Sequence, residues 1–215
     1  MSLKLYMHPL SSFCHKALIA LYENHTPFEP RIIDLGNPQS RAELLAIWPI
    51  GKFPVLRDEA RERTIPESST IIEYLAQHYP GPVELVPTDA DAARQTRLRD
   101  RFFDLYVAEP MQKIVGDRLR PADSHDPFGV ERAREQLRTA CGLVEQDMKT
   151  RAWATGDDFS MADCAAAPAL FYADKVQPLA QDWPNAKAYL DRLMERASYA
   201  RVLVEAAPYF KMFPQ

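Results

Sequence analysis

The chain has 215 residues, with 26 Lys and Arg against 30 Asp and Glu, a formal net charge of −4 and a pI near 5.8. That length suits two small domains, and an acidic balance without basic clusters excludes a protein that works by neutralising nucleic-acid phosphates. Three cysteines, Cys14, Cys141 and Cys164, lack CxxC spacing, so neither a disulfide framework nor a metal knuckle is expected; a reducing cytoplasm fits, and no apolar run approaches the ~18 residues of a spanning helix.

Leu3 to Met7 alternates as a strand, His8-Pro9 breaks it, and Phe13, Ala17, Ala20 and Leu21 recur at helical spacing up to Tyr22. Phe28 to Leu35 reads as a second strand after the turn residues Asn24 to Pro27, and Arg41 to Ile47 as a short helix. Val55 to Arg57 and Thr64-Ile65 are short strands around the charged stretch Asp58 to Arg63, which predicts an antiparallel hairpin with an exposed loop. A helix from Ser69 to Tyr79, with Ile71, Ile72 and Leu75 on one face, completes the order βαβ, a helix, then ββα. Residues 1–79 therefore read as one α/β domain.

Pro80-Gly81-Pro82 and Pro87 mark residues 80–88 as a linker, and residues 89–215 read as all-helical. Thr88 with Asp91 predicts a capping box opening a long helix through Val107, which Pro110 kinks or ends; Asp126-Pro127 predicts a second long helix running to about Trp153. Phe159-Ser160-Met161-Ala162-Asp163-Cys164 specifies a further helix start three ways. Ser160 accepts the Asp163 N–H, Asp163 reaches back to the Ser160 N–H, and Phe159 packs on Cys164. Pro184 and Ser198 predict two more short helices, and Pro208 an irregular tail.

Three places carry chemistry. Pro54, after Gly51-Lys52-Phe53, heads a strand, where a proline is an edge residue or a cis residue. A cis bond would leave the Phe53 N–H and C=O facing outward to pair with a bound peptide. Pro66-Glu67-Ser68-Ser69 precedes a helix, whose first-turn N–H groups and dipole suit an anion, with Ser68 adding a hydroxyl and Glu67 taking an ammonium group. A plain N-cap is the alternative. In Leu10-Ser11-Ser12-Phe13-Cys14-His15-Lys16 a hydroxyl at a helix start can donate to a thiolate that the dipole favours. Here too the alternative is a plain N-cap, with Cys14 a small buried apolar group. Tyr6, inside the first strand, reads as core, with contact to a thiol the lesser alternative.

Together, the run from Pro9 to Lys16, Gly51 to Leu56, Pro66 to Ser69 with Ile71 to Leu75, and Gly156 to Asp163 resemble the cytosolic glutathione transferases over nearly the whole chain. The resemblance implies a thioredoxin-like N-terminal domain (βαβ-α-ββα) followed by an all-α C-terminal domain. It also implies a cytoplasmic homodimer acting in detoxification, with glutathione as co-substrate and no metal. Ser11 matches the serine that holds the glutathione thiolate in the theta, zeta and phi classes, with Ser12 as fallback. Phe53 matches the residue before the cis proline, Pro54, whose backbone pairs with the cysteinyl unit. Glu67 and Ser68 match the pair that grips the γ-glutamyl end, and Lys52 a position that reaches the glycine carboxylate, with Arg41 the other candidate. Ser160 and Asp163 match a structural capping box.

The chain departs from that pattern at Asn37 to Arg41, where several classes carry a basic pair, and at Trp48, where an Asn is usual. Leu10 and Phe13 are expected to face the long helix, where Phe103, Tyr106 and Met111 would line an apolar electrophile pocket; core packing is the competing role. The leading expectation is a transferase that presents glutathione as thiolate to an electrophile. A glutathione-dependent isomerase, dehalogenase or peroxidase on the same scaffold, a non-catalytic binding module and a carrier of apolar molecules are the alternatives.

Overall fold

The structure is a computed structural model describing residues 2–214. Its N-terminal part is a mixed four-stranded sheet in the order β2-β1-β3-β4, from β1 (Leu3–Met7), β2 (Glu29–Ile32), β3 (Val55–Asp58) and β4 (Arg63–Pro66). β1 runs parallel to β2 and antiparallel to β3, and β3 is antiparallel to β4. α1 (Ser12–Glu23) and α2 (Pro38–Ile47) lie between successive strands, and α3 (Ser68–His78) follows β4. The period of two along β1 sends Leu3, Leu5 and Met7 into the main core with α1 and α3, while Tyr6 joins Ile33, Leu44 and Val55 in a smaller cluster with α2. Tyr6 is thus core.

The helical part comprises α4 (Ala90–Phe102), a π-helical stretch (Phe103–Ala108), α5 (Glu109–Arg118), α6 (Pro127–Asp147), α7 (Met161–Val176), α8 (Pro184–Glu195) and α9 (Ala197–Ala206). α7 is buried along most of its length, and its small residues Ala165 to Ala167 and Ala169 let α1 and α4 approach closely. One apolar core runs through both halves, from Leu3 to Val202. Among the described residues no helix is long and apolar enough to cross a membrane, and no group of His, Cys, Asp and Glu could hold a metal ion.

Several boundaries depart from the sequence reading, each for a local reason. α2 starts at Pro38, not Arg41, because Asn37 Oδ1 caps it by accepting from the Gln39 and Ser40 N–H groups. β3 runs one residue further than expected, to Asp58, which is fully buried and accepts from Tyr74, Tyr79 and the Ala60 and Arg61 N–H groups. Burial opposes its charge, but those four donors together hold its carboxyl below the usual carboxylate range.

No capping box forms at Thr88. Its N–H goes to Glu84, and Asp89 caps α4 through the Ala92 N–H. Pro110 neither ends nor breaks the long helix. The preceding turn widens to i→i+5 bonding, with the Glu109 N–H on the Asp104 carbonyl, and so accommodates a residue without an N–H. α6 stops at Asp147 rather than near Trp153: Lys149 and Thr150 close it with turn bonds, and Trp153 bridges to Gly156. Ser198 lies inside α9 with its hydroxyl on Glu23, and the tail after Pro208 is a 3-10 turn over Ala207–Met212. The Ser160 capping box forms as read, and Asp163 further accepts from the Ala154 N–H and the Tyr189 hydroxyl.

Candidate functional site

Two helix starts and a strand head converge on one cleft. The Phe53-Pro54 bond is cis, and β3 pairs with β1 only from Val55 onward, opposite Tyr6, so the Phe53 N–H and C=O stay outside the ladder. α3 follows from Glu67, whose φ of 68° and ψ of 124° are a left-handed conformation rare for a residue with a side chain. Holding it there costs on the order of 1–3 kcal/mol. No side chain caps α3, so the N–H groups of Ser68, Ser69 and Thr70 have no intrahelical partner and stand at the positive end of the helix dipole.

At the head of α1, Ser11 is the N-cap: its Oγ accepts the Cys14 N–H at 3.3 Å. Its hydroxyl also faces the Cys14 thiol, which burial pushes up to about 12 against a smaller opposing pull from that hydroxyl. Cys14 is therefore an inert buried thiol, as are Cys141 and Cys164. Ser12 Oγ accepts from Gln112 Nε2 at 3.4 Å, and its own proton has no acceptor among the described residues.

Phe13, Trp48, Lys52, Phe53, Pro54 and the turn Glu67 to Thr70 form one wall of a cleft of about 500 Å³. Arg101, Asp104, Leu105, Glu109 and Gln112 of the helical part form the other. Cations (Lys52, Arg101) and carboxylates (Glu67, Asp104, Glu109) thus share one space with uncapped N–H groups, a composition suited to a small zwitterion carrying its own peptide groups. A larger cleft of about 740 Å³ lies between the 82–87 segment, α4 and Trp153 to Ser160. Its lining includes the uncapped start of α9 at Arg196 but no residue of a strand head, whereas the smaller cleft joins an uncapped helix start to the unpaired Phe53 backbone and is the candidate site.

Of the residues expected at the site, Lys52, Phe53, Pro54, Glu67, Ser68 and Phe13 line the cleft. Ser11 and Ser12 are not lining residues; Ser12 reaches the cleft through Gln112. Of the apolar candidates, Met111 and Phe103 are corrections: both are packed in the core, at 3 % and 2 % exposure, because they share the inward face of the helix with Val107 and Ile114. Tyr106 points outward at 48 % exposure, against Phe102, and Leu10 presents its carbonyl to Tyr172. Leu105 and Gln112 take the places expected of Tyr106 and Met111. Trp48, at the end of α2, becomes part of the cleft wall.

Behind that wall lies a buried ionic knot that no sequence motif announced. Lys16 Nζ, 1 % exposed, lies 2.6 Å from Asp100 Oδ1, 2.7 Å from Asp104 Oδ2 and 2.8 Å from Ser69 Oγ. Ser69 in turn donates to Asp100 Oδ2 at 2.7 Å. Burial raises the Asp104 carboxyl, and Lys16 pulls it back. The knot fastens the start of α3 to α1 and α4. Its signal was present: Asp100 and Asp104 lie four apart on one helical face, and Lys16 interrupts an otherwise apolar stretch of α1.

Residues 5–83 match the family description "Glutathione S-transferase, N-terminal domain" and residues 127–192 match "Glutathione S-transferase, C-terminal domain". Among curated proteins, the chain is 27 % identical over 202 residues to a stringent starvation protein A homolog of Pasteurella multocida, covering 91 % of this chain and 87 % of that protein. A glutathione S-transferase of Methylobacillus flagellatus solved with glutathione bound superposes with a TM-score of 0.85 at 24 % identity, over 94 % of this chain and 98 % of that one. A second, from Methylobacterium radiotolerans in complex with glutathione sulfonate, gives 0.81 at 25 % identity, over 93 % of each chain.

Proposed function

The chain belongs to the glutathione S-transferase family, and on that premise we propose that the cleft binds glutathione and delivers it as thiolate to an electrophilic, mostly apolar substrate. The observation that carries this reading is the uncapped start of α3 beside the unpaired Phe53 backbone. The γ-glutamyl carboxylate sits on the N–H groups and hydroxyl of Ser68, its ammonium group on Glu67, and the cysteinyl backbone on Phe53. Lys52, with Arg101 across the cleft, takes the glycine carboxylate. Ser11 donates its hydroxyl to the sulfur and adds to the α1 dipole, so the thiolate fraction near neutral pH rises. Holding both reactants in one cleft supplies the proximity term.

A specific observation favours a second assignment, in which Ser12 is the donor: its acceptor side is occupied by Gln112 and its proton is free. The pH–rate profile of glutathione conjugation to a halogenated aromatic tests both. Loss of a hydrogen bond to a charged sulfur, at about 1.5–3 kcal/mol, raises the bound thiol's pKa by about 1–2 units. That shift is expected in Ser11→Ala. Its appearance in Ser12→Ala alone moves the role to Ser12, and its absence from both removes the serine mechanism. The starvation-protein relative keeps a binding-module reading in view; glutathione binding without turnover across halogenated aromatics, epoxides, peroxides and disulfides would support it.

A further inference from the structure

The loop that delivers Ser11 has every backbone group from Pro9 to Ser11 paired. The Ser11 N–H goes to the His8 carbonyl at 3.0 Å, the Leu10 N–H to His8 Nδ1 at 3.2 Å, and the Ser11 carbonyl accepts the His15 N–H. The Pro9 carbonyl accepts His15 Nε2–H at 2.6 Å. These partners all belong to the loop or to α1. The remaining group, the Leu10 carbonyl immediately before Ser11, accepts the Tyr172 hydroxyl at 2.8 Å from α7, 162 residues away.

Tyr172 is 2 % exposed and has little freedom of its own. Phe213 stacks on its ring at 5.5 Å and 25°, Phe171 meets it edge-on at 5.2 Å, and the His15 ring lies 5.8 Å away. Burial also holds its hydroxyl protonated, so it remains a donor across the working pH range. The neighbouring buried Tyr199, edge-on to His15 at 6.0 Å, has a hydroxyl without a partner among the described residues. Two tyrosines of similar burial against the same imidazole thus differ in whether they hold the loop.

We propose that Tyr172 is a positioning residue for thiol activation: its hydrogen bond to the Leu10 carbonyl, with Phe213 stacked behind it, sets the place of the Ser11 hydroxyl relative to the sulfur. This rests on the glutathione reading of the cleft. A hydrogen bond weakens steeply with distance and angle, and a small displacement of a reacting group produces a large loss of rate. Removing the Tyr172 hydroxyl frees the Leu10 carbonyl and loosens the peptide next to Ser11, while the ring and its packing remain.

The test is a pH titration of the thiolate absorbance of glutathione bound to the intact chain, on wild type, Tyr172→Phe, Tyr199→Phe and Phe213→Ala. Tyr172→Phe is expected to raise the bound thiol's pKa by roughly half a unit to one unit, about three- to tenfold less thiolate at a given pH below it, with glutathione affinity within about twofold of wild type when measured below the wild-type bound thiol's pKa, where both complexes hold the thiol. Tyr199→Phe is expected to titrate with wild type, and Phe213→Ala to move in the same direction as Tyr172→Phe. Should Tyr172→Phe fail to fold, the Phe213→Ala shift decides. A Tyr172→Phe curve superposed on wild type overturns the inference, as does an equal shift in Tyr199→Phe. A wild-type protein that holds no glutathione overturns this inference and the glutathione reading together, whereas a shifted wild-type thiol with an unmoved Tyr172→Phe overturns this inference alone.

Discussion

His15 illustrates how one buried side chain can tie the site to the stability of the whole. Burial lowers its pKa from the ordinary 6.5 to about 4, against a smaller pull from the Pro9 carbonyl, so in the fold it stays neutral and donates from Nε2. In the unfolded chain it takes a proton below about pH 6.5. The unfolded state therefore binds more protons between about 6.5 and 4, and the contribution is fully present above that window and lost as pH falls through it. Urea unfolding is expected to show roughly 3 kcal/mol of stability lost from this group by about pH 4. In His15→Gln the slope between about pH 6.5 and 4 should flatten; an unchanged slope would remove His15 as its source. The residue was visible in the sequence only as part of a motif, because its partner is a carbonyl six residues earlier in a loop whose path the sequence does not state.

At the scale of elements, the joint between the two halves is tighter than a linker reading suggests. A Cβ on Gly81 would stand 2.4 Å from Asn24 Cβ and 2.8 Å from Asn24 Cα, and Asn24 Oδ1 accepts the Val83 N–H at 2.9 Å. Leu85 is buried, and its carbonyl accepts the Met161 N–H at the start of α7. The segment is pinned at the end of α1 and at the head of α7. Gly81→Ala is therefore expected to lower stability by about 1–3 kcal/mol through overpacking, read as a shifted denaturant midpoint at unchanged slope; a midpoint at the wild-type value would show that the joint gives way freely. Local signals such as the Ser160 to Asp163 box and Pro184 were legible because cap and helix lie within four residues of each other. The π-helical stretch and the end of α6 were not, because a widened turn and a closing turn leave no periodicity of their own.

At the scale of the molecule, the cleft exists only because the two halves share one core. Phe53, Glu67 and Ser68 come from the sheet side, while Arg101, Asp104 and Gln112 come from the helical side, and the Lys16 knot holds the two walls in register. The first wall was readable because its chemistry sits in short segments of fixed order. The second was not: which face of a long aromatic-rich helix turns toward the cleft depends on packing between elements far apart in sequence, and so Phe103 and Met111 went to the core and Leu105 and Gln112 to the cleft. Calorimetric titration of the intact chain with glutathione is the decisive measurement: if these walls hold glutathione, binding is saturable at or below millimolar concentration and at least about tenfold weaker in Ser68→Ala, and a flat isotherm at millimolar glutathione would rule the site out.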